Sequence, residues 1–293
     1  LMIFSKKILI TGASGWFGKS FILSYVARFS EKALSNLILV TSDGRDISIP
    51  GIDVALKTIS LKCINNIDGV DVVIQAAFLT RDKISEYGDQ NYKAINLNII
   101  DTVSNYVRIN RVTSVFLISS GAVNDSGNKK DLYSELKKSE EDAFLKVCNP
   151  LIFRVYGATG KLTPKVSWSA LSEFICKGKC DEDISLKSKG RVLRSYVSFD
   201  VLSELIMECI SRGGIETKII DACSFSIDIF TLATNVAKIF DIKVEKNKDY
   251  DETCIVDSYI GSNKEFISFC EEHNIYLPTL EELVSIASKS PFL

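Results

Sequence analysis

Three stretches of this chain carry residue types and spacings suited to chemistry. In Tyr133-Ser134-Glu135-Leu136-Lys137 a phenol and an ammonium stand four residues apart, on one face of a helix. A tyrosine at its intrinsic pKa of about 10 is a poor base at neutral pH, and a neighbouring ammonium favours the phenolate and lowers that value. Such a tyrosine can take a proton from an alcohol or give one to a forming alkoxide. Lys137 can also hold ribose hydroxyls. The apolar run 113–118 ends in Ser119-Ser120-Gly121-Ala122-Val123, which brings two hydroxyls to a strand end. From there Ser120 can hold a reacting oxygen in line with Tyr133. The third stretch is Thr11-Gly12-Ala13-Ser14-Gly15-Trp16-Phe17-Gly18, between a short apolar run and a helical pattern. A strand, a glycine-rich turn and a helix make a dinucleotide-binding opening. Gly12 permits the tight turn, Gly15 lets a pyrophosphate approach the backbone, and Gly18 lets helix and strand pack closely. Free N–H groups at the helix start, from Ser14 through Trp16, Phe17 and Gly18, face the phosphate oxygens. The Trp16 and Phe17 side chains are packing residues on this reading.

A parallel sheet is needed to position these groups. Lys6–Ile10, Leu37–Thr41, Val70–Ala77, Thr113–Ser119 and Leu151–Phe153 are near-continuous apolar runs, the pattern of strands buried on both faces. Val54–Lys57 is expected as a short third strand. Helices are expected over Lys19–Phe29, Leu61–Ile67, Asn91–Ile109 and Asp131–Val147, the last with Asp131 as N-cap. Ligands of open parallel sheets bind beyond the carboxyl ends of the strands, and Ser120 lies at such an end. After Gly157 the rhythm changes. The pattern predicts helices over Trp168–Cys176, Val201–Ile210, Ser226–Phe240 and Glu265–Cys270, strands over Arg194–Phe199 and Thr217–Ala222, and a charged linker over Lys177–Arg191; Gly213-Gly214 ends the second of these helices. The fold class is α/β: a Rossmann-type doubly wound parallel sheet with a smaller, interleaved C-terminal substrate-binding part. The dinucleotide-binding domain spans residues 1–157, with 190–222 returning to it, and 158–293 form mainly the substrate-binding part.

Composition excludes several other classes. The 293 residues are 46% hydrophobic and 25% charged with a formal net charge of −2, ordinary for an enzyme and unlike a nucleic-acid-binding surface. No run approaches the roughly 18 apolar residues of a membrane helix. Leu1–Ile10 leads directly into a core strand and carries no signal-peptide pattern. Eight scattered cysteines fit reduced thiols in a cytoplasmic protein. His273 is the single histidine, in a polar stretch, so a zinc site built on several histidines is excluded and no metal site is expected. Lys177, Lys179, Lys187, Lys189, Arg191 and Arg194 are dense but have few aromatics among them; one or two suit a substrate diphosphate and the rest solvate a loop. Lys129-Lys130 and Lys137-Lys138 are short, solvent-facing pairs on the ordinary reading.

Taken together, the G-x-x-G-x-x-G turn behind Thr11, Ser119-Ser120-x-x-Val123 and Tyr133-x-x-x-Lys137 resemble the extended short-chain dehydrogenase/reductase superfamily, its NAD-dependent epimerase/dehydratase family. The resemblance covers nearly the whole chain. It implies Ser120, Tyr133 and Lys137 as catalytic residues and matches Glu140 to a glutamate after the lysine. It implies a cofactor-lining segment at Gln75-Ala76-Ala77, with glutamine in place of the usual histidine, and an asparagine at Asn96. It matches Arg194-Ser195-Tyr196-Val197, with Asp200 beyond, to a pattern whose arginine touches substrate phosphates. Arg154 is a further substrate-binding candidate, in a segment that has lost residues relative to the family. Ser120-Gly121-Ala122 stands where the family's 4,6-dehydratases carry Thr-Asp-Glu, which argues against that reaction. The interval from Ser120 to Tyr133 is shorter than in typical epimerases.

What the resemblance implies is reversible hydride transfer at a carbon of a nucleotide-activated sugar. A 4-keto reductase is the favoured form. The alternatives are a 4-epimerase with tightly bound NAD, a reductase of a small non-sugar carbonyl, and a dinucleotide-sensing protein without catalysis. At the end of the second strand Asp43 supports NAD, whereas Ser42 and Arg45 suit the extra phosphate of NADP; NADP is slightly favoured. A homodimer through the helices 91–109 and 131–147 is expected, with no nucleic-acid or membrane partner.

Overall fold

A computed structural model describes residues 6–124, 131–165, 169–213 and 216–293. The expectations for residues 129, 130, 168 and 214, and for the first five residues, lie outside these. In chain order the strands and α-helices of the first half are β1 Ile8–Thr11, α1 Trp16–Phe29, β2 Leu37–Thr41, β3 Ile59–Ser60, β4 Val72–Gln75, α2 Ile84–Tyr87, α3 Asp89–Asn110, β5 Ser114–Ser120, α4 Leu132–Val147 and β6 Leu151–Val155. Then come β7 Gly157–Thr159, α5 Ala170–Lys179, β8 Ile184–Ser185, β9 Gly190–Ser198, α6 Phe199–Arg212, β10 Lys218–Ala222, β11 Phe225–Asp228, α7 Ile229–Phe240, β12 Val244–Glu245, β13 Asp251–Tyr259, α8 Asn263–Glu272 and α9 Leu280–Ser288.

The chain forms two compact units. The first holds Leu1–Arg154 and Ser203–Ile220, the second Val155–Leu202 and Asp221–Leu293. Of the segment 190–222, residues 190–202 therefore fall in the second unit and Ser203–Ile220 in the first. The main sheet has seven strands in the order β10-β6-β5-β4-β1-β2-β3, a Rossmann-type α/β arrangement. Its order reverses at β1, so the carboxyl ends of β1 and β4 flank the switch point where such sheets take ligands. Thr11 pairs in register with Gln75 there, and Gln75 with Leu117 of β5. The apolar runs become strands because both their faces are covered: Ile8, Leu9, Ile10, Val72, Val73, Ile74, Val115, Phe116 and Leu117 are fully buried. Tyr106, Phe144 and Ile152 complete one core layer against this sheet.

The second unit has its own core of Leu171, Phe174, Ile175, Ile184, Tyr196, Leu232, Val236 and Val284. Its larger sheet runs β11-β9-β13, with β7 also on β9. No helix among the described residues is long and apolar enough to cross a membrane.

Several boundaries differ from the sequence reading, for physical reasons. Val54–Lys57 is not a sheet strand: Leu56 makes a local antiparallel bridge to Ile47, with N···O distances of 2.8 and 3.0 Å, and the sheet continues at Ile59–Ser60 instead. Ser226 is strand, not helix, because Phe225–Asp228 pairs antiparallel with β9 and delays the helix to Ile229. The linker Lys177–Arg191 is partly ordered structure, since α5 runs to Lys179, Ile184–Ser185 pairs with β12, and β9 starts at Gly190. Strand β13 and helix α9 were not anticipated.

Phe144→Ala empties a fully buried position between α4 and the sheet. It should cost about 3–5 kcal/mol, read as a lower denaturant midpoint. An unchanged midpoint would show that this layer does not hold the first unit together.

Candidate active site at the switch point of the sheet

At the turn after β1, sterics account for the glycines. Gly12 has φ +66°, and a Cβ on it would lie 2.7 Å from the backbone of Ala76. A Cβ on Gly18 would lie 2.4 Å from the carbonyl oxygen of Gly12. The turn therefore presses against the segment after β4, and α1 presses against the turn. The N-cap of α1 is Gly15; no side chain caps this end, and its first turn holds no acidic residue. Gly15 N–H donates to the Gly12 carbonyl at 2.9 Å, and the positive end of the α1 dipole has no carboxylate beside it, a setting that can hold an anion such as a pyrophosphate. Ser14 and Gly15 are exposed, Trp16 is half-buried, and Phe17 packs inward against Phe21 at 6.4 Å between ring centroids.

Behind the turn runs a buried chain of polar side chains. Thr11 Oγ1 donates to Gln75 Oε1 at 2.5 Å and accepts from the N–H groups of Ala76 at 3.2 Å and Ala77 at 3.3 Å. Gln75 Nε2 donates to Glu140 Oε1 at 2.9 Å and to the Ala77 carbonyl at 2.9 Å. Glu140 Oε2 takes the Lys137 ammonium at 2.8 Å, and Lys137 Nζ also donates to the Ile118 carbonyl at 3.1 Å. Thr11, Gln75, Lys137 and Glu140 are all buried. Burial pushes the Glu140 carboxyl above its ordinary range, and the Lys137 charge and the Gln75 hydrogen bond pull it back. This one chain ties the carboxyl-terminal parts of β1, β4 and β5 to the middle of α4.

Helix α4 starts where the sequence placed it. Asp131 is its N-cap, and its carboxylate accepts from Ser134 N at 2.9 Å. Lys137 lies one turn after Tyr133 on this helix. The Tyr133 and Phe78 rings make a T-shaped contact, with centroids 5.8 Å apart and planes at 87°. The Arg81 guanidinium lies 5.1 Å from the Tyr133 ring centroid and pairs with Asp131 at 2.9 Å. Ser120 is buried at the end of β5, where its Oγ accepts from Ala122 N at 3.2 Å. Its neighbour Ser119 donates to Glu141 at 2.6 Å.

Other candidates have partners of their own. Asn96 is buried and accepts from Leu79 N at 2.8 Å, while Tyr92 donates to the Leu79 carbonyl at 2.6 Å. Asn96 therefore fixes the segment after Ala76 and Ala77. Arg154 donates to Glu141 at 2.6 and 2.9 Å and to Asn124 at 2.5 Å. After β2, Asp43 accepts from the Arg45 backbone at 3.1 Å and from its side chain, and these hydrogen bonds hold the Asp43 carboxyl below its ordinary range. Ser42, Asp43 and Arg45 are exposed, and a Ser60 hydroxyl supports the turn through the Ser42 carbonyl at 3.1 Å. Arg194 lies in the second unit, on β9, ion-paired with Asp257. The sequence reading missed Phe78, Arg81 and Glu141. Phe78 was hidden because it extends an apolar stretch, and Glu141 because its partner Arg154 comes 13 residues later.

No protein-family model and no curated protein matches the chain. Solved structures do match it. A UDP-N-acetylglucosamine 4-epimerase from Methanobrevibacter ruminantium, in complex with UDP-N-acetylmuramic acid, is similar with a TM-score of 0.73 at 15% identity, over 97% of each chain. A UDP-glucose 4-epimerase from Bifidobacterium longum, with NAD+ and UDP, matches at a TM-score of 0.70 and 15% identity, over 96% of each chain. A dTDP-glucose 4,6-dehydratase from Streptomyces venezuelae with NAD bound matches at 0.67 and 14%, over 95% of this chain and 96% of its own. These likenesses establish a shared fold across the length of the chain.

Glu140→Leu would leave the Lys137 ammonium buried without its carboxylate. Breaking a buried pair from one side costs about 3–5 kcal/mol. Lys137→Met in the same background should recover most of that loss. Equal stability of the wild type and Glu140→Leu in urea would contradict the pairing.

Proposed function

We propose that the chain is an NAD-dependent oxidoreductase of a nucleotide-activated sugar, acting through Ser120, Tyr133 and Lys137. One observation carries the reading. The hydrogen-bonded chain Thr11–Gln75–Glu140–Lys137 joins the glycine turn to the Tyr-x-x-x-Lys helix at the switch point of the sheet. The dinucleotide, when bound, supplies a reversible hydride acceptor. Gly12 and the backbone of Ser14, Gly15, Trp16, Phe17 and Gly18 hold its pyrophosphate. Ala76 and Ala77 line the site, and Asn96 positions them through Leu79. Lys137 and Tyr133 hold the second ribose. Ser120 orients the reacting oxygen, and Tyr133 takes its proton or returns it.

NAD is proposed in place of the NADP that Ser42 and Arg45 suggested. Asp43 stands at the strand end to accept ribose hydroxyls, and it already matches the Arg45 charge. Two of the similar structures described above hold NAD, which supports the same choice. The 4-epimerase reading is preferred, because the same comparisons include two 4-epimerases. A 4-keto reductase is the second reading, favoured by the short interval between Ser120 and Tyr133. The second unit is proposed as the substrate-binding part, with Arg194 as the contact to substrate phosphates. Arg154 is given a structural role, since Glu141 and Asn124 take its guanidinium. A cytoplasmic homodimer through α3 and α4 completes the proposal.

Tyr133→Phe removes the proton carrier and keeps the ring against Phe78. Turnover of UDP-glucose to its 4-epimer, or of a 4-keto nucleotide sugar with NADH, should fall about 10²–10⁴-fold, with dinucleotide binding unchanged. Unchanged turnover would remove Tyr133 from the mechanism.

A further inference from the structure

In this structure Lys137 has no donor left for a ribose. An ammonium has three N–H donors. One goes to Glu140 Oε2 at 2.8 Å and one to the Ile118 carbonyl at 3.1 Å. The remaining face is covered by the Phe78 ring, whose centroid lies 4.0 Å from Lys137 Nζ. That is a cation–π contact, and its partly desolvated setting strengthens it. The same ring makes a T-shaped contact with Tyr133, centroids 5.8 Å apart. Phe78 thus touches two of the three residues assigned to the chemistry, the ammonium of Lys137 and the ring of Tyr133.

The backbone on both sides of Phe78 is pinned. Ala76 and Ala77 donate to Thr11 Oγ1, and the Ala77 carbonyl accepts from Gln75. Leu79 is held at both its N–H and its carbonyl by Asn96 and Tyr92. A shift of the whole segment would break these bonds. The Phe78 side chain is half-buried, and rotation about its own χ1 breaks none of them.

We propose that Phe78 is an aromatic latch on Lys137, which must swing off the ammonium before a dinucleotide ribose can bind there. The inference rests on the dinucleotide reading above. It assigns Phe78 the control of affinity at the nicotinamide end of the site. The adenosine end, at the glycine turn and Asp43, does not involve this ring. Closing the latch reduces the binding-competent fraction and weakens the apparent affinity in proportion.

The test is calorimetric titration of wild type, Phe78→Ala and Phe78→Leu with NAD and, separately, with ADP. Releasing a cation–π contact of this kind should tighten NAD binding about fivefold to tenfold in both variants, with ADP affinity unchanged. The leucine variant keeps the bulk without the π face, so a gain there attributes the latch to the ring. Unchanged or weaker NAD binding in both variants, with ADP still bound, would overturn the latch and leave the dinucleotide site standing. Binding of neither ligand by any of the three proteins would overturn the dinucleotide reading, and the latch with it.

Discussion

The site depends on burying one positive charge. Lys137 is buried with almost no solvent, and an ammonium placed there without a partner charge is costly. Glu140 compensates it, but a buried carboxylate needs its own partners. Gln75 supplies one, and Thr11 orients Gln75. The chain of bonds ends on the backbone at Ala76 and Ala77, just after β4, and at Ile118, near the end of β5. A requirement set by one lysine on α4 therefore fixes the geometry of three strands. The glycine turn obeys the same geometry, because Gly12 has room only for a hydrogen against Ala76.

Much of the first unit was legible in the sequence. Strands buried on both faces leave unbroken apolar runs, and β2 appeared at its expected bounds for that reason. Asp131 was legible as an N-cap because a short polar side chain at that position answers an open N–H. The long-range pairs were not. Gln75 and Glu140 are 65 residues apart and share no periodicity, so their bond is visible only once the sheet brings β4 to α4. Phe78 gave no sign of its role, since an aromatic at the end of an apolar strand has an ordinary packing explanation.

The second unit was less legible, for a different reason. Strand β13 shows no alternation of burial, with every residue exposed except the half-buried Tyr259, so the period-two signal is absent. Acidic and hydroxyl residues such as Asp251, Glu252 and Thr253 fit an edge strand whose outer side must not recruit another chain. Helix α9 did carry a signal. Thr279 and Glu282 form a complete capping box, and the Thr-x-x-Glu spacing stands in the sequence ahead of an apolar stretch. The run 177–191 read as a linker because charge dominates it, although Ile184 is fully buried in the core of the unit.

The buried polar chain and the glycine turn are proposed to hold NAD together. Mass spectrometry of what the purified protein releases on denaturation, followed by titration of the emptied protein with NAD(H) and NADP(H), tests this most directly. The expected result is one dinucleotide site per chain that prefers NAD, with retained NAD in the released fraction if the 4-epimerase reading holds. No released dinucleotide together with no binding of either form would show that the glycine turn and the buried polar chain do not make a dinucleotide site.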